Sequence, residues 1–296
     1  MSILRTDNLS KSYGSVIALR DVSFDVPAGS VFGVLGPNGS GKTTLLGTVL
    51  EILYPTAGRF LWFDKDPTPA QRRRIGTLLE TPNFYPYLTG SQNLEITASI
   101  RGTGADQIAQ VLEQVGLHTY ATLPFSKYSL GMKQRLAIGA SLLGNPEVLV
   151  LDEPTNGLDP AGIADIRKLI VQLSGQGKTL ILASHLLDEV EKVCTHVAIL
   201  KKGRLLETGS MREVLHDETV IDVSAPDLEG LRKALEAFPQ TLKITVNEVG
   251  LRLQCAHTDF NAAAVNGYCH DKGVVLSLLH TKKRDLESRF LELTDE

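Results

Sequence analysis

The segment Gly36-Pro37-Asn38-Gly39-Ser40-Gly41-Lys42-Thr43-Thr44 constrains this chain more than any other stretch. It satisfies G-x-x-x-x-G-K-[ST]. It also lies between Ser30 to Leu35, an apolar run that reads as a buried strand, and Lys42 to Leu53, which has helical spacing. In a strand-loop-helix unit of this kind the glycines Gly36, Gly39 and Gly41 permit a tight path that aims successive backbone N–H groups at one point. The helix that opens at Lys42 adds its positive dipole end. The loop is therefore built to hold a phosphate chain, with Pro37, Asn38 and Ser40 completing its wall. Lys42 is placed to contact β- and γ-phosphates as a point charge, Thr43 to offer a hydroxyl to Mg2+, and Thr44 to reach the α-phosphate.

Further apolar runs at Val148–Leu151, Thr179–Ser184 and Val197–Lys201, the first two separated by a long helical pattern, predict a largely parallel α/β sheet. Ligands of such sheets bind beyond the carboxyl ends of the strands. Val148–Leu151 runs straight into Asp152-Glu153-Pro154, so two carboxylates are expected at that edge. Asp152 suits Mg2+, a hard cation that prefers oxygen. Glu153 suits the orientation and polarisation of an attacking water. His185, directly after Thr179–Ser184, falls at the same edge, where a neutral imidazole can donate to a γ-phosphate and report its loss.

Around these strands, Ile3 to Asp25 alternates about Tyr13-Gly14 as an antiparallel strand pair, and Thr89 with Gln92 opens a mostly helical stretch to Leu143 through a capping box. Beyond Gly203, strands are predicted at Thr219–Ser224, Thr241–Asn247, Gly250–Ala256 and Val274–Leu279, with helical stretches at 227–238 and 259–272. This β-α-β-β-α-β order predicts a small ferredoxin-like appendage, followed by a last helix at 283–293. At 296 residues a large domain plus a smaller one is expected. A net charge of -4 gives no general attraction to nucleic acid, and none is expected as a partner. Three scattered cysteines, Cys194, Cys255 and Cys269, have no metal-ligand spacing and fit reduced thiols in cytosol. Met1 to Leu9 does not read as a targeting segment, and no run reaches the ~18–20 apolar residues of a membrane span.

With these residues in place the chain resembles the nucleotide-binding subunits of ABC transporters over about residues 1 to 215. The segment that distinguishes the family reads here Tyr128-Ser129-Leu130-Gly131-Met132-Lys133-Gln134-Arg135. Ser129 and Gly131 keep the family's Leu-Ser-Gly-Gly-Gln, and Gln134-Arg135 follow as usual. The departure is similar to that of the bacitracin-export and related drug-export branch. The resemblance implies an α/β P-loop NTPase fold, an ABC ATPase domain over residues 1–216. That domain carries an antiparallel β subdomain and a helical subdomain at about 89–143, with an accessory ferredoxin-like domain at 217–296. It also implies head-to-tail pairing with a second copy or a homologous ATPase subunit. Ser129 and Gly131 of one chain then face the ATP held by the loop of the other, and Asp159, in Asn156-Gly157-Leu158-Asp159, reaches across the interface.

By the same resemblance Tyr13 stacks on adenine. Glu80, where the family carries a glutamine, contacts Mg2+. The run Phe84, Tyr85, Tyr87 and Leu88 has more aromatic surface than a solvated loop needs and is read as the docking groove for a separate transmembrane permease subunit, a local minicore under the helical subdomain being the alternative. The chain is then expected to work at the cytoplasmic face of the membrane as a peripheral ATPase with ATP and Mg2+, export being the expected direction. The rival is a soluble ABC-type ATPase acting on nucleic acid or ribosomes. Such proteins usually carry two cassettes or a long coiled-coil insertion, whereas this chain has one cassette and no such insertion.

Overall fold

The computed structural model describes residues 1–296 except 80–82, 216–217, 240, 257–261, 284 and 296. The chain divides into two compact units, Met1–Met211 and Arg212–Glu296. The boundary expected at residue 217 and the magnesium contact expected of Glu80 both lie outside the described residues.

The first unit opens with strands Ser2–Tyr13 (β1) and Val16–Pro27 (β2), paired antiparallel from Ser2 with Pro27 to Tyr13 with Val16. Val31–Leu35 (β3), buried throughout, leads through the glycine-rich loop into Lys42–Val49 (α1). The helix is shorter than its apolar spacing predicts. Glu51 turns left-handed at φ 61°, and the Val49 carbonyl, released at the helix end, accepts the indole N–H of buried Trp62 at 2.7 Å. Trp62 ends Ala57–Trp62 (β4), which returns to β1 and completes the antiparallel sheet β2-β1-β4.

Pro69–Arg72 (α2) and Ile75–Leu78 (β5) precede the helical stretch: Gly90–Arg101 (α3), Ile108–Gln114 (α4) and Leu130–Leu142 (α5), joined by 3₁₀ turns. Both halves of the expected capping box are present, Gln92 N donating to Thr89 Oγ1 at 3.2 Å and Thr89 N to Gln92 Oε1 at 3.0 Å. Val148–Asp152 (β6), Pro160–Gly175 (α6), Thr179–Ser184 (β7), Leu187–Val193 (α7), His196–Lys201 (β8) and Arg204–Ser210 (β9) finish the unit. The large sheet runs β5-β6-β7-β3-β8-β9, parallel except for the edge strand β9, so the carboxyl ends of β6, β7 and β3 lie side by side.

One apolar core joins the two sheets around α1, with Leu4, Phe24, Phe32, Leu45, Leu46 and Trp62 at its centre and the Phe24 and Phe32 rings stacked 5.3 Å apart. Each such side chain contributes about 1.5–3 kcal/mol on burial, so this core holds the loop's flanking strand and helix in register. Helix α5 packs so closely on β5 that a Cβ at Gly76 would lie 2.0 Å from the Ser141 carbonyl oxygen and 2.8 Å from Leu149 Cδ2. Neither the helix backbone nor a leucine buried from solvent can yield that space. Gly76→Ala is expected to destabilise the unit by about 2–3 kcal/mol, read as a lower unfolding midpoint in urea; a midpoint unchanged from the parent chain would contradict this packing.

Met211–Leu215 (α8) begins at the last residue of the first unit, and the second unit continues with Glu218–Ser224 (β10), Leu228–Glu236 (α9), Thr241–Asn247 (β11), Gly250–Ala256 (β12), Ala262–Asp271 (α10), Leu278–Lys283 (β13) and Leu286–Asp295 (α11). The four strands form an antiparallel sheet in the order β11-β12-β10-β13, over a core that includes Ile221, Val223, Leu231, Leu235, Leu251, Leu253 and Val265. The last strand departs from the sequence reading, which placed it at Val274–Leu279. Ser277 N bonds Ser224 O at 2.8 Å, and pairing with β10 starts only at Leu278 opposite Ser224 and runs to Lys283 opposite Thr219. Val274 and Leu276 still pack on the core, but from a loop.

Candidate functional site

The loop between β3 and α1 keeps left-handed or otherwise positive φ at Gly36 (155°), Gly39 (79°) and Gly41 (107°). Two of these glycines are also required by close neighbours. A Cβ at Gly36 would meet the Leu200 carbonyl oxygen at 2.3 Å, and one at Gly41 the Ala18 carbonyl oxygen at 2.6 Å. The strands β2 and β8 thus press on the loop from outside, and Gly203 N, in the turn after β8, bonds the Ser40 carbonyl at 2.9 Å. Ser40 is buried, and its hydroxyl has no hydrogen-bond partner among the described residues. An unsatisfied buried hydroxyl costs about 1–3 kcal/mol, which an anion in the loop offsets by accepting from it.

Lys42 is only 6% exposed. Its ammonium donates to the Gly36 carbonyl at 2.8 Å and the Pro37 carbonyl at 3.3 Å, and stands 3.5 Å from Glu153 Oε1. The cation is therefore already withdrawn from bulk water, hydrogen-bonded to two neutral carbonyls that phosphate oxygens can displace and paired at longer range with one carboxylate. Thr43, one residue on, donates its hydroxyl to Asp152 Oδ2 at 2.8 Å, and Asp152 is itself buried at the end of β6. These two hard oxygen donors fit Mg2+, and among the described residues no cluster of three or more His, Cys, Asp or Glu side chains forms a cage of its own. A magnesium ion held by these two residues would need its remaining ligands from phosphate and water, the usual arrangement for this small, strongly hydrated cation.

Glu153 leaves β6 with a left-handed backbone, φ 46°, while its N–H bonds the Ala183 carbonyl of the neighbouring strand at 2.9 Å. A non-glycine residue in that region costs on the order of 1–3 kcal/mol and is kept only where its surroundings enforce it. The side chain spans two partners: Oε1 faces Lys42, and Oε2 is 2.8 Å from His185 Nδ1. A carboxylate without a proton only accepts, and in that state Nδ1 is the donor of this bond. The consequence for the sequence reading is specific: with Nδ1 donating to Glu153, Nε2 can donate to a phosphate only when the ring carries a second proton. His185 first of all fixes the orientation of Glu153. The left-handed turn and the Lys42–Glu153–His185 chain are invisible in the sequence, because they depend on contacts between the start of α1 and the segments that follow β6 and β7.

Structure and sequence thus bring Lys42, Thr43, Asp152, Glu153 and His185 together at one sheet edge. Tyr13 lies at the tip of the β1–β2 hairpin, the hairpin whose Ala18 carbonyl abuts Gly41, and its ring is 47% exposed with Lys11 Nζ 5.1 Å from the centroid. Ser129 and Asp159 are elsewhere, both exposed, as N-caps of α5 and α6: Ser129 Oγ accepts from Met132 N at 3.2 Å and Asp159 Oδ1 from Gly162 N at 2.9 Å. Among the described residues no hydrogen bond joins Ser129, Gly131 or Asp159 to the glycine-rich loop. The aromatic run is divided. Phe84 turns inward, edge-on to Phe125 at 5.2 Å, whereas Tyr85 and Tyr87 face out with their rings 5.9 Å apart.

The family model described as ABC transporter matches residues 19–156, which take in the loop, the signature segment and the acidic strand end. Across nearly the whole chain the bacitracin transport ATP-binding protein BcrA of Enterococcus faecalis is 36% identical, covering 98% of this chain and 96% of the relative. The chain belongs to the ABC transporter ATP-binding family. The BcrA protein of Bacillus licheniformis is 43% identical over 70% of this chain and 69% of its own length, so the expected bacitracin-export-like branch is borne out. A solved ATP-binding cassette of an ABC transporter in its ADP conformation superposes with a TM-score of 0.67 at 28% identity, over 72% of this chain and 92% of that one. A dimeric post-hydrolysis cassette bound to ADP and Pi gives 0.63 at 26% identity, over 71% and 99%. The α/β ABC ATPase fold is thereby shown, and the rival reading as a nucleic-acid or ribosome ATPase is not favoured.

Proposed function

We propose that this ABC subunit binds ATP with Mg2+ on the Gly36–Thr44 loop, hydrolyses it with Glu153, and pairs through ATP with a second copy or a homologous chain to drive a separate membrane permease. The observation that carries the reading is the meeting of Lys42, Thr43, Asp152, Glu153 and His185 at the ends of three adjacent parallel strands.

On ATP binding Lys42 exchanges the Gly36 and Pro37 carbonyls for β- and γ-phosphate oxygens, a trade of neutral acceptors for charged ones that strengthens each bond. The loop amides and the start of α1 supply the remaining donors, Thr44 among them, and Tyr13 offers its exposed face to adenine. Thr43 and Asp152 would hold Mg2+, which supplies charge neutralisation at the phosphates. Glu153, held by His185, orients a water and accepts its proton as the water oxygen attacks the γ-phosphorus and the bond to the ADP oxygen breaks. Because Ser129, Gly131 and Asp159 lie at exposed helix starts away from the loop, they serve the nucleotide of the opposing chain, Ser129 adding the positive end of α5 to the γ-phosphate.

Tyr85 and Tyr87, with the shallow groove of about 590 Å³ lined by Leu88, Gln92, Glu95, Ile96, Ser99 and Ile100, form the docking surface for the permease. Among the described residues no helix is long and apolar enough to cross a membrane, so the subunit is proposed to bind peripherally at the cytoplasmic face through that partner. A transport role, with export as its direction, is supported by the bacitracin and lantibiotic transport ATP-binding relatives. The second unit is proposed to be an accessory ferredoxin-like domain. The test is phosphate release from ATP by the purified subunit together with its permease. Release in Mg2+ that EDTA abolishes is expected; equal release in EDTA, or none in Mg2+, would contradict the assignment.

A further inference from the structure

The signature segment carries Leu130 where the family's pattern has glycine, and this leucine is 49% exposed at the start of α5. Its neighbour explains its position. Gly157, at φ 73°, leaves a space into which Leu130 reaches, so that a Cβ at Gly157 would stand 3.2 Å from Leu130 Cδ2. The reverse contact is also present: Leu158 Cδ2 lies 4.0 Å from the place a Cβ would take at Gly131, and its Cβ and Cδ1 lie 3.4 and 3.6 Å from that place at Gly162. Two leucines and two glycines thus interlock, Leu130 over Gly157 and Leu158 over Gly131. They tie residues 129–131 to residues 156–159, which otherwise belong to the starts of different helices.

We propose that Leu130 and Leu158 are positioning residues that lock the Ser129 turn to the Asn156–Asp159 loop, so that Ser129 and Asp159 are presented to the opposing chain as one rigid unit. This rests on the reading that Ser129 acts on the partner chain's nucleotide. Asn156 N bonds the Glu153 carbonyl at 3.1 Å, so the locked loop is also continuous with the residue that handles the attacking water. The leucine in the signature is then a compensated substitution: the packing surface it adds is accommodated by the absence of a side chain at Gly157. Leu130 opens α5 and Leu158 precedes the N-cap of α6, both apart from the loop's own sequence, so on this proposal they act on turnover and pairing and not on the affinity of one chain for ATP.

The experiment is a double-mutant cycle on the subunit with its permease, using Leu130→Ala, Leu158→Ala and the pair, with steady-state ATPase, equilibrium ATP binding and thermal midpoint measured for each. Each single change is expected to lower kcat about tenfold with ATP binding unchanged, and the pair to cost little more than either alone, as for residues that hold the same two segments together. Leu130→Met, which keeps the volume, is expected to recover most of the rate. Losses that multiply in the pair, a kcat untouched by either change, or losses that follow the thermal midpoint would overturn the lock. Ser129→Ala separates the two readings: if it leaves turnover intact, the role given to Ser129 fails. If it abolishes turnover while the leucine cycle is additive, only the lock fails.

Discussion

Glu153→Gln is expected to reduce ATP turnover by roughly 10²–10⁴-fold while ATP binding stays within about twofold of the parent chain. The first figure is the usual loss when a positioned general base is removed. The second follows from the contacts. An amide keeps the shape of the carboxylate, and its one carbonyl oxygen can still accept from His185 Nδ1, while the amide nitrogen replaces the oxygen that stood 3.5 Å from Lys42. Lys42 keeps both backbone carbonyls as well, so the phosphate loop retains its form. What disappears is the group able to take a proton from water. Phosphate release and equilibrium nucleotide binding on the same preparation decide the matter: a fast variant would remove Glu153 from the chemistry, and a variant that no longer binds ATP would make its role structural.

Lys42→Ala acts one step earlier. Hydrogen bonds to charged groups are worth about 1.5–3 kcal/mol, so loss of the ammonium should weaken ATP binding by roughly ten- to more than a hundredfold, with turnover falling at least as far. Lys42→Arg is not expected to restore binding. The site leaves Lys42 6% exposed between the Gly36 and Pro37 carbonyls, and a planar guanidinium is wider than the ammonium those carbonyls hold. Titration with ATP by calorimetry tests both variants, and an unchanged affinity in Lys42→Ala would contradict the placement of the phosphates.

The loop and the acidic strand end were readable in the sequence because backbone geometry demands particular residues there. Gly36 and Gly41 have neighbours that exclude a Cβ, and the four β-branched and leucine residues before Asp152, too few for a helix, form a strand buried throughout. Strands β4 and β9 leave no such signal. The first begins with the exposed Ala57, Gly58 and Arg59, and the second is an edge strand of alternating half-buried positions, so neither carries an apolar run. β13 was misplaced for the opposite reason: Val274, Val275 and Leu276 favour a strand locally, but the pairing partner β10 ends at Ser224, opposite Leu278, and tertiary pairing outweighs propensity. The inward turn of Phe84 depends on Phe125, forty-one residues later, and no local pattern announces it.

The claim on which the rest depends is that one ATP is gripped by Lys42 of one chain and Ser129 of another. Sedimentation of the Glu153→Gln chain, of mass 32.2 kDa, in saturating ATP and Mg2+ with its permease present measures this directly. Two ATPase chains per complex are expected to close on one another with ATP retained. Adding Ser129→Ala should abolish the closure while each chain still binds ATP. An ATP-saturated Glu153→Gln chain that remains single, or a closure indifferent to Ser129, would contradict the account.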